Sequence, residues 1–251
     1  MNINAVGGYT GVNYGTIASG KRINSAADDA AGLAQVQKLN SQSRGLDQGA
    51  ANAKDMDNLT KVADGALGSI NDYLQAIRDK SLQASNGLLT KSDKQAIQNE
   101  ISQYLQGIND VANNTTFNTR KILNEDGDMF TMTGPDGSGK DVKTGNATLK
   151  SLGLEDYDVT GDFDISRIDK AIDQINSMRG SEGAASNALM RIYSYNQNTS
   201  ENTVASSSRL EDLDMGAAIS EQKKNQVLDE YKNVMLKKQM EQESLVTKML
   251  Q

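Results

Sequence analysis

From Met56 to Ile77, apolar residues return every three or four positions: Met56, Leu59, Ala63, Ala66, Ile70, Leu74 and Ile77. That rhythm puts them on one face of an α-helix. The helical pattern extends from Ser25 to about Ala84, opened by Leu33, Val36 and Leu39. About sixty helical residues would span roughly 90 Å at about 1.5 Å each. The chain holds a single Pro, at position 135, so no proline removes a backbone donor within this stretch. Leu, Ile, Val and Phe make up only about a fifth of the residues, at the edge of what a compact core needs. An elongated helical rod fits that composition better than a globule, because a rod needs only narrow apolar stripes.

More helices follow. Asn86-Gly87 is a good stop, since both residues tolerate the left-handed conformation of a helix end. Ser92 and Gln95 have capping-box spacing, and Ile97, Ile101, Leu105, Ile108 and Val111 form the next stripe. The short connection predicts two antiparallel helices. From about Asn113 to about Asp162 the chain turns rich in Gly, Asp, Asn and Thr. Asp126-Gly127 and Asp136-Gly137 are turn dipeptides, and short strands joined by hairpins are expected. Near Asp164 the helical period returns with Ile165, Ile168, Ile172, Ile175 and Met178, then Leu189 and Ile192 beyond the small residues Gly180–Ala185. Ser206–Ser208 reads as a joint. A last helix carries Leu210, Leu213, Ala217, Val227, Leu228, Tyr231, Met235, Leu245, Val246, Met249 and Leu250. Such a stripe either invites a partner or belongs to a terminal helix docked on its own chain; the residues alone leave both open.

The absence of Cys and His excludes disulfides, Cys/His metal sites, a Ser–His–Asp triad and an H-E-x-x-H peptidase. A net charge of −7 argues against a nucleic-acid partner, and no apolar run approaches a membrane span. The start, MNINAVGGYTGVNYG, does not read as a cleavable signal. Gly134–Lys140, GPDGSGK, imitates a phosphate-binding loop, but Asp141 stands where Ser or Thr would ligate Mg²⁺; it reads as a surface turn. Glu211, Asp212 and Asp214 form an acidic cluster beside Arg209 that suits the first turn of a helix. N-x-S/T triplets begin at Asn58, Asn113, Asn114, Asn146 and Asn198 and mean little without a glycosylation system. No catalytic residue, cofactor or metal is expected.

Two segments near opposite ends carry the more specific signal. Ser19–Ala34 reads SGKRINSAADDAAGLA, and Ser206–Ala218 reads SSSRLEDLDMGAA. On local chemistry the first is a helix start: the Ser25 hydroxyl caps, and Asp28 reaches back to the cap N–H. Gly20 and Gly32 allow a bend, and Lys21 and Arg22 lie where a partner could read them. Together the two segments resemble the signatures near the N- and C-termini of bacterial flagellins. Leu74–Gln83, Ala96–Ile108 and Thr116–Leu123 resemble that family too. The likeness runs from Ser19 to the end of the chain and is weakest in the middle. Residues before Ser19 do not share it. The stretch from Met1 to Gly20 holds Gly7, Gly8, Gly11, Gly15 and Gly20, each costing about 1 kcal/mol in a helix relative to Ala. The family's corresponding segment is longer and amphipathic. Here Tyr9, Val12, Tyr14 and Ile17 could form a short stripe against a partner helix.

The resemblance implies a short flagellin without outer variable domains. The fold would be mainly α: an elongated antiparallel helical bundle or coiled coil with a small β-hairpin region in the middle. Residues 1–24 with 210–251 would form a terminal inner-tube region, and 25–209 a helical rod whose β-rich segment is about 114–163. The implied function is a structural subunit that polymerises into the flagellar filament for motility, without enzymatic activity. It would be secreted through the flagellar export apparatus. Its main partner is itself, through Ile219, Val227, Leu228, Met235, Leu245, Val246 and Leu250. An export chaperone, the cap and hook-junction proteins are further partners by resemblance. Many flagellins are sensed by a Toll-like receptor through an Arg and a Leu on the long helix and a Glu on the next. Those positions here are Ala76, Lys80 and Glu100. Only the Glu matches, so receptor contact should be weak. A hook–filament junction or secreted minor flagellin stays open, as does a cytoplasmic coiled-coil signalling module, whose heptads would run unbroken to a hairpin tip.

Overall fold

The structure, a computed structural model, describes residues 14–249. Leu250, Tyr9, Val12 and the side chain of Tyr14 therefore lie outside the described residues. The chain is mainly α, with helices α1 (Tyr14–Ser19), α2 (Ala30–Ala84), α3 (Lys91–Asn114), α4 (Ser166–Glu211) and α5 (Met215–Met249). Four short strands lie between α3 and α4: β1 (Thr116–Phe117), β2 (Arg120–Lys121), β3 (Gly127–Met132) and β4 (Gly139–Thr144). They pair as two antiparallel hairpins. The chain divides into two compact units, Gln42–Glu201 and Met1–Ser41 with Asn202–Gln251.

In the unit Gln42–Glu201, α3 runs antiparallel to α2. Lys80 pairs with Glu100, and the Tyr73 and Tyr104 rings lie 6.1 Å apart. A Cβ at Gly107 would come within 3.0 Å of the Tyr73 ring, so the two helices approach closely there. α4 is also antiparallel to α2. Ser43 bonds Ser200 at 2.9 Å, Ser186 donates to Asp57 at 2.6 Å, Arg179 to Asp64 at 2.8 Å and Arg78 to Asp169 at 2.7 Å. Partner numbers fall as α2 numbers rise, with almost no slip. The core between these helices holds Leu67, Ile70, Leu74 and Ile77 of α2, Ile101 and Ile108 of α3, and Ile168 and Ile175 of α4, all fully buried.

The segment after β4 closes the core. Leu152, Leu154, Tyr157 and Val159 are buried. Gln98 of α3 brackets them, donating to the Tyr157 carbonyl at 3.1 Å and accepting from the Val159 N–H at 2.9 Å. The Tyr157 hydroxyl donates to Ser81 at 3.0 Å. The β3–β4 hairpin docks on α2 through glycine: a Cβ at Gly49 would lie 2.1 Å from the Thr133 carbonyl oxygen, and one at Gly45 2.7 Å from Pro135. Asn52 and Asn196 donate to the Met132 and Thr133 carbonyls at 2.8 and 2.7 Å.

Several sequence expectations shift. α2 starts at Ala30, not Ser25. Asp28 does accept the Asn24 and Ser25 N–H groups, but within a turn that precedes the helix. The cap is Asp29, whose Oδ1 accepts the Gly32 N–H at 2.8 Å. A Cβ at Gly32 would strike Asp29 and Ile23, so that glycine gives close packing within the helix. α3 is capped by Thr90 and Asp93, not Ser92 and Gln95; an ionised carboxylate is a stronger acceptor than an amide and suits the positive helix end. Ser206–Ser208 lie inside α4, where Ser206 donates to the Asn202 carbonyl at 2.8 Å and Ser207 to Asn40 at 3.0 Å. The joint falls at 212–214 instead. Glu211 accordingly ends α4, and Asp214 begins α5, its Oδ1 accepting the Ala217 N–H at 3.0 Å. Asp126-Gly127 is not a hairpin turn: Gly127 begins β3, and Asp126 accepts the Asn146 N–H. Near the start, α1 does form, six residues long, despite the glycines around it, and ends at Gly20 in the left-handed region at φ +69°.

Candidate functional site

The two signature segments meet in space. In the unit of Met1–Ser41 and Asn202–Gln251, the Arg22 N–H donates to the Glu211 carbonyl at 2.7 Å and the Leu213 N–H to the Gly20 carbonyl at 2.9 Å. These bonds frame an antiparallel bridge between Lys21 and Asp212. The Lys21 ammonium pairs with Glu211 at 2.6 Å, and that hydrogen bond and its charge raise the lysine pKa. The Arg22 guanidinium donates to the Leu210 carbonyl at 2.7 Å. Ile23 is buried. Lys21 and Arg22, expected to face a partner, thus satisfy the backbone and carboxylate at the end of α4. A helix end leaves carbonyls unpaired; the Arg22 guanidinium and N–H fill that need, while Lys21 pairs with the Glu211 side chain.

α5 begins immediately after this joint, with α1 beside it. From Met215 to Val246 none of its described side chains is buried. Large apolar groups stand in water, Val227 at 64% and Leu245 at 59% exposed. At about 100° per residue, Val227, Leu228, Tyr231, Val234, Met235, Leu245 and Val246 share one face about 120° wide. Lys238 and Gln242 lie on the same face between Met235 and Leu245. Ile219 is exposed but falls off it. Sequence reading did not single out Val234, because a stripe counted in threes and fours favours one line of a broad face.

Lys80 and Glu100 meet across α2 and α3, and Ala76 lies one turn before Lys80 on α2. Lys80 hydrogen-bonds Glu100, which raises the lysine pKa. The carboxylate that matches the receptor-contact pattern is therefore already engaged by a cation of its own chain. Gly134–Ser138 forms the tip of the β3–β4 hairpin, with Asp136 accepting from Ser138, and Gly139 and Lys140 begin β4; a strand follows where a phosphate loop would require a helix.

Two buried carboxylates escaped the sequence reading. Burial pushes the Asp57 carboxyl up, but hydrogen bonds from Lys61, Ser186 and Lys54 outweigh it and leave the group below its ordinary value. Glu182 is 3% exposed, and its Oε2 has no hydrogen-bond partner. Burial, then the charge of Asp64, raises its pKa to about 7. It lines a cavity of about 530 Å³ with Asp126, Asp128, Lys143 and Met178.

Comparison with known proteins covers both ends of the chain. The family model for the bacterial flagellin N-terminal helical region matches residues 14–127, starting ahead of Ser19, and that for the bacterial flagellin C-terminal helical region matches 165–250. A flagellin of Halalkalibacterium halodurans is 31% identical over 243 residues, covering 93% of this chain and 89% of that one. A phase 1 flagellin of Salmonella naestved is 42% identical over 146 residues, covering 58% of this chain but only 29% of its own length. Among solved structures, Bacillus cereus flagellin aligns over 58% of this chain and 88% of its own with a TM-score of 0.51 and 26% identity.

Proposed function

The chain belongs to the bacterial flagellin family, and from that premise we propose that α5 is the surface through which each copy joins its neighbours. As a flagellin, the protein is a structural subunit of the bacterial flagellar filament, which lies outside the cell. The contact residues proposed are Ile219, Val227, Leu228, Met235, Leu245 and Val246, with Leu250 added from the sequence alone. Residues 1–24 with 210–251 form the inner-tube region in this reading, and 25–209 the outer part. The observation that carries it is a 35-residue helix without a buried side chain among those described. Burying a Leu or Val fully is worth about 1.5–3 kcal/mol, so a face of seven such groups has a large gain available only from a partner. Export through the flagellar apparatus, and contact with an export chaperone, cap and hook-junction proteins, belong to the same proposal.

Leu245→Asp with Val246→Asp tests it. Placing two carboxylates in a buried contact costs several kcal/mol each unless paired, while the unit Gln42–Glu201 contains neither residue. The double variant should keep its helical circular dichroism and fail to elongate seeded filament fragments under the electron microscope. Filaments of normal length from it would refute the assignment. Receptor sensing is proposed to be weak, because Ala76 offers no guanidinium and Lys80 occupies Glu100. A reporter-cell response equal to that of a strongly sensed flagellin would overturn this part.

A further inference from the structure

Asn86 is the one asparagine in the sequence followed by glycine. It sits in the exposed connection between α2 and α3, two residues before Leu88, which is 90% exposed. Its Oδ1 accepts the Leu88 N–H at 3.1 Å, and its carbonyl accepts the Leu89 N–H at 3.2 Å. No acceptor takes the Gly87 N–H. A side chain at 87 would meet nothing within 4 Å, so the peptide is free to rearrange. A glycine also leaves the nitrogen uncrowded and reaches backbone conformations closed to other residues.

We propose that Asn86 is a site of spontaneous covalent modification, in which the Gly87 backbone nitrogen closes on the Asn86 side-chain amide with help from the Leu88 N–H. The Gly87 nitrogen gives its proton to solvent base and forms a bond to Cγ. Negative charge develops on Oδ1, where the Leu88 N–H already points; a donor placed at a developing oxyanion lowers the barrier. The bond from Cγ to the side-chain nitrogen then breaks, and ammonia leaves with a solvent proton. The product is a five-membered cyclic imide between residues 86 and 87. Water opens it at either carbonyl, giving aspartate or its β-linked isomer. The net change is one water consumed, one ammonia released and one negative charge gained, with no oxidation or reduction.

Other described asparagines are held back by their neighbours. Those inside helices precede an N–H committed to a carbonyl one turn back. The Ser25 N–H after Asn24 is held by Asp28, and the Ala147 N–H after Asn146 donates to the Leu123 carbonyl. Asn118 precedes Thr119 and Asn124 precedes Glu125, and in both the following residue carries a side chain that crowds the nitrogen, as glycine does not. Asn86 is itself unpacked, so the added charge, or the extra backbone carbon of the isomer, leaves the core untouched.

The test is incubation of the full-length protein in mildly alkaline water enriched in heavy oxygen, followed by trypsin and mass spectrometry. Cleavage after Lys80 and Lys91 isolates Ser81–Lys91. That peptide should gain the acid form carrying heavy oxygen, in two chromatographically separate isomers, while the intact protein shifts to a lower isoelectric point. Gly87→Ala should slow the conversion several-fold. Leu88→Pro, which removes the N–H, should slow it as well, with circular dichroism unchanged. A synthetic Ser81–Lys91 peptide, which lacks the fixed turn, should react more slowly than the protein. Heavy oxygen entering other asparagine peptides but not this one would overturn the site. A peptide that reacts as fast as the protein would overturn the role of the Leu88 N–H.

Discussion

Glu182→Gln should flatten the pH dependence of stability. Glu182 is buried, with Oε2 unpaired, and its pKa rises from the ordinary 4.5 to about 7. Facing it are Asp64, already paired with Arg179 on the α2–α4 side, and Asp126, Asp128 and Lys143 around the cavity. Below pH 4.5 the carboxyl is protonated in both folded and unfolded chains, and its contribution is fully present. Between pH 4.5 and 7 the unfolded chain ionises while the folded one keeps its proton. Stability then falls by about 1.4 kcal/mol per pH unit. Over this interval the loss sums to about 3 kcal/mol and levels off above pH 7. Glutamine has the same shape and never ionises. The variant should therefore match the wild type near pH 4 and exceed it by up to about 3 kcal/mol at pH 8. The depressed carboxyls of Asp28, Asp57, Asp93, Asp136, Asp156 and Asp164 lose their contribution as pH falls below their ordinary value of 3.8, outside this window, and cancel in the difference. Urea unfolding from pH 4 to 8, with hydrogen exchange in α4 as a local readout, measures it. Parallel wild-type and variant curves across that range would refute the reasoning.

Two further expectations concern backbone geometry. Asn118 and Thr119 form the two-residue turn of the β1–β2 hairpin at φ +48° and +67°. Thr119→Gly should stabilise the chain by about 1 kcal/mol by relieving a branched residue there, read as a higher urea midpoint; no gain would mean that the threonine carries a compensating contact. Gly49→Ala adds a Cβ 2.1 Å from the Thr133 carbonyl oxygen. It should cost about 1–3 kcal/mol through strain despite alanine's better helix propensity, with faster exchange in β3 and β4. Unchanged protection of that hairpin would show that it docks elsewhere.

Much of the secondary structure was legible because helices announce themselves by period. Met56 through Ile77, Ile97 through Ile108 and Ile165 through Ile175 each carry a stripe that only a helix can bury on one side, and α2, α3 and α4 follow them. The Asn86-Gly87 stop needed only local conformational preference. The caps were harder. Ser25, Asp28, Ser92 and Gln95 had suitable spacing, but so did their neighbours, and Asp29 and Thr90 took the role. Local rules rank such alternatives within a few tenths of a kcal/mol, and packing decides.

By itself the sequence determined the helical class, the absence of cysteine and histidine chemistry, the irregular middle and the family, through two short segments far apart in the chain. Only the tertiary structure decided that those segments bond to each other, because a contact between Lys21 and Glu211 leaves no period or spacing to read. It also decided which polar residues are buried. Asp57 and Glu182 lie on helices that look alike in sequence, yet one is surrounded by donors and the other by none at its Oε2. The register of α2 against α4 sets that difference. α5 stands apart from both: its apolar face is plain in the sequence, and the folded chain leaves it uncovered; in the proposed assembly the groups that cover it belong to another copy.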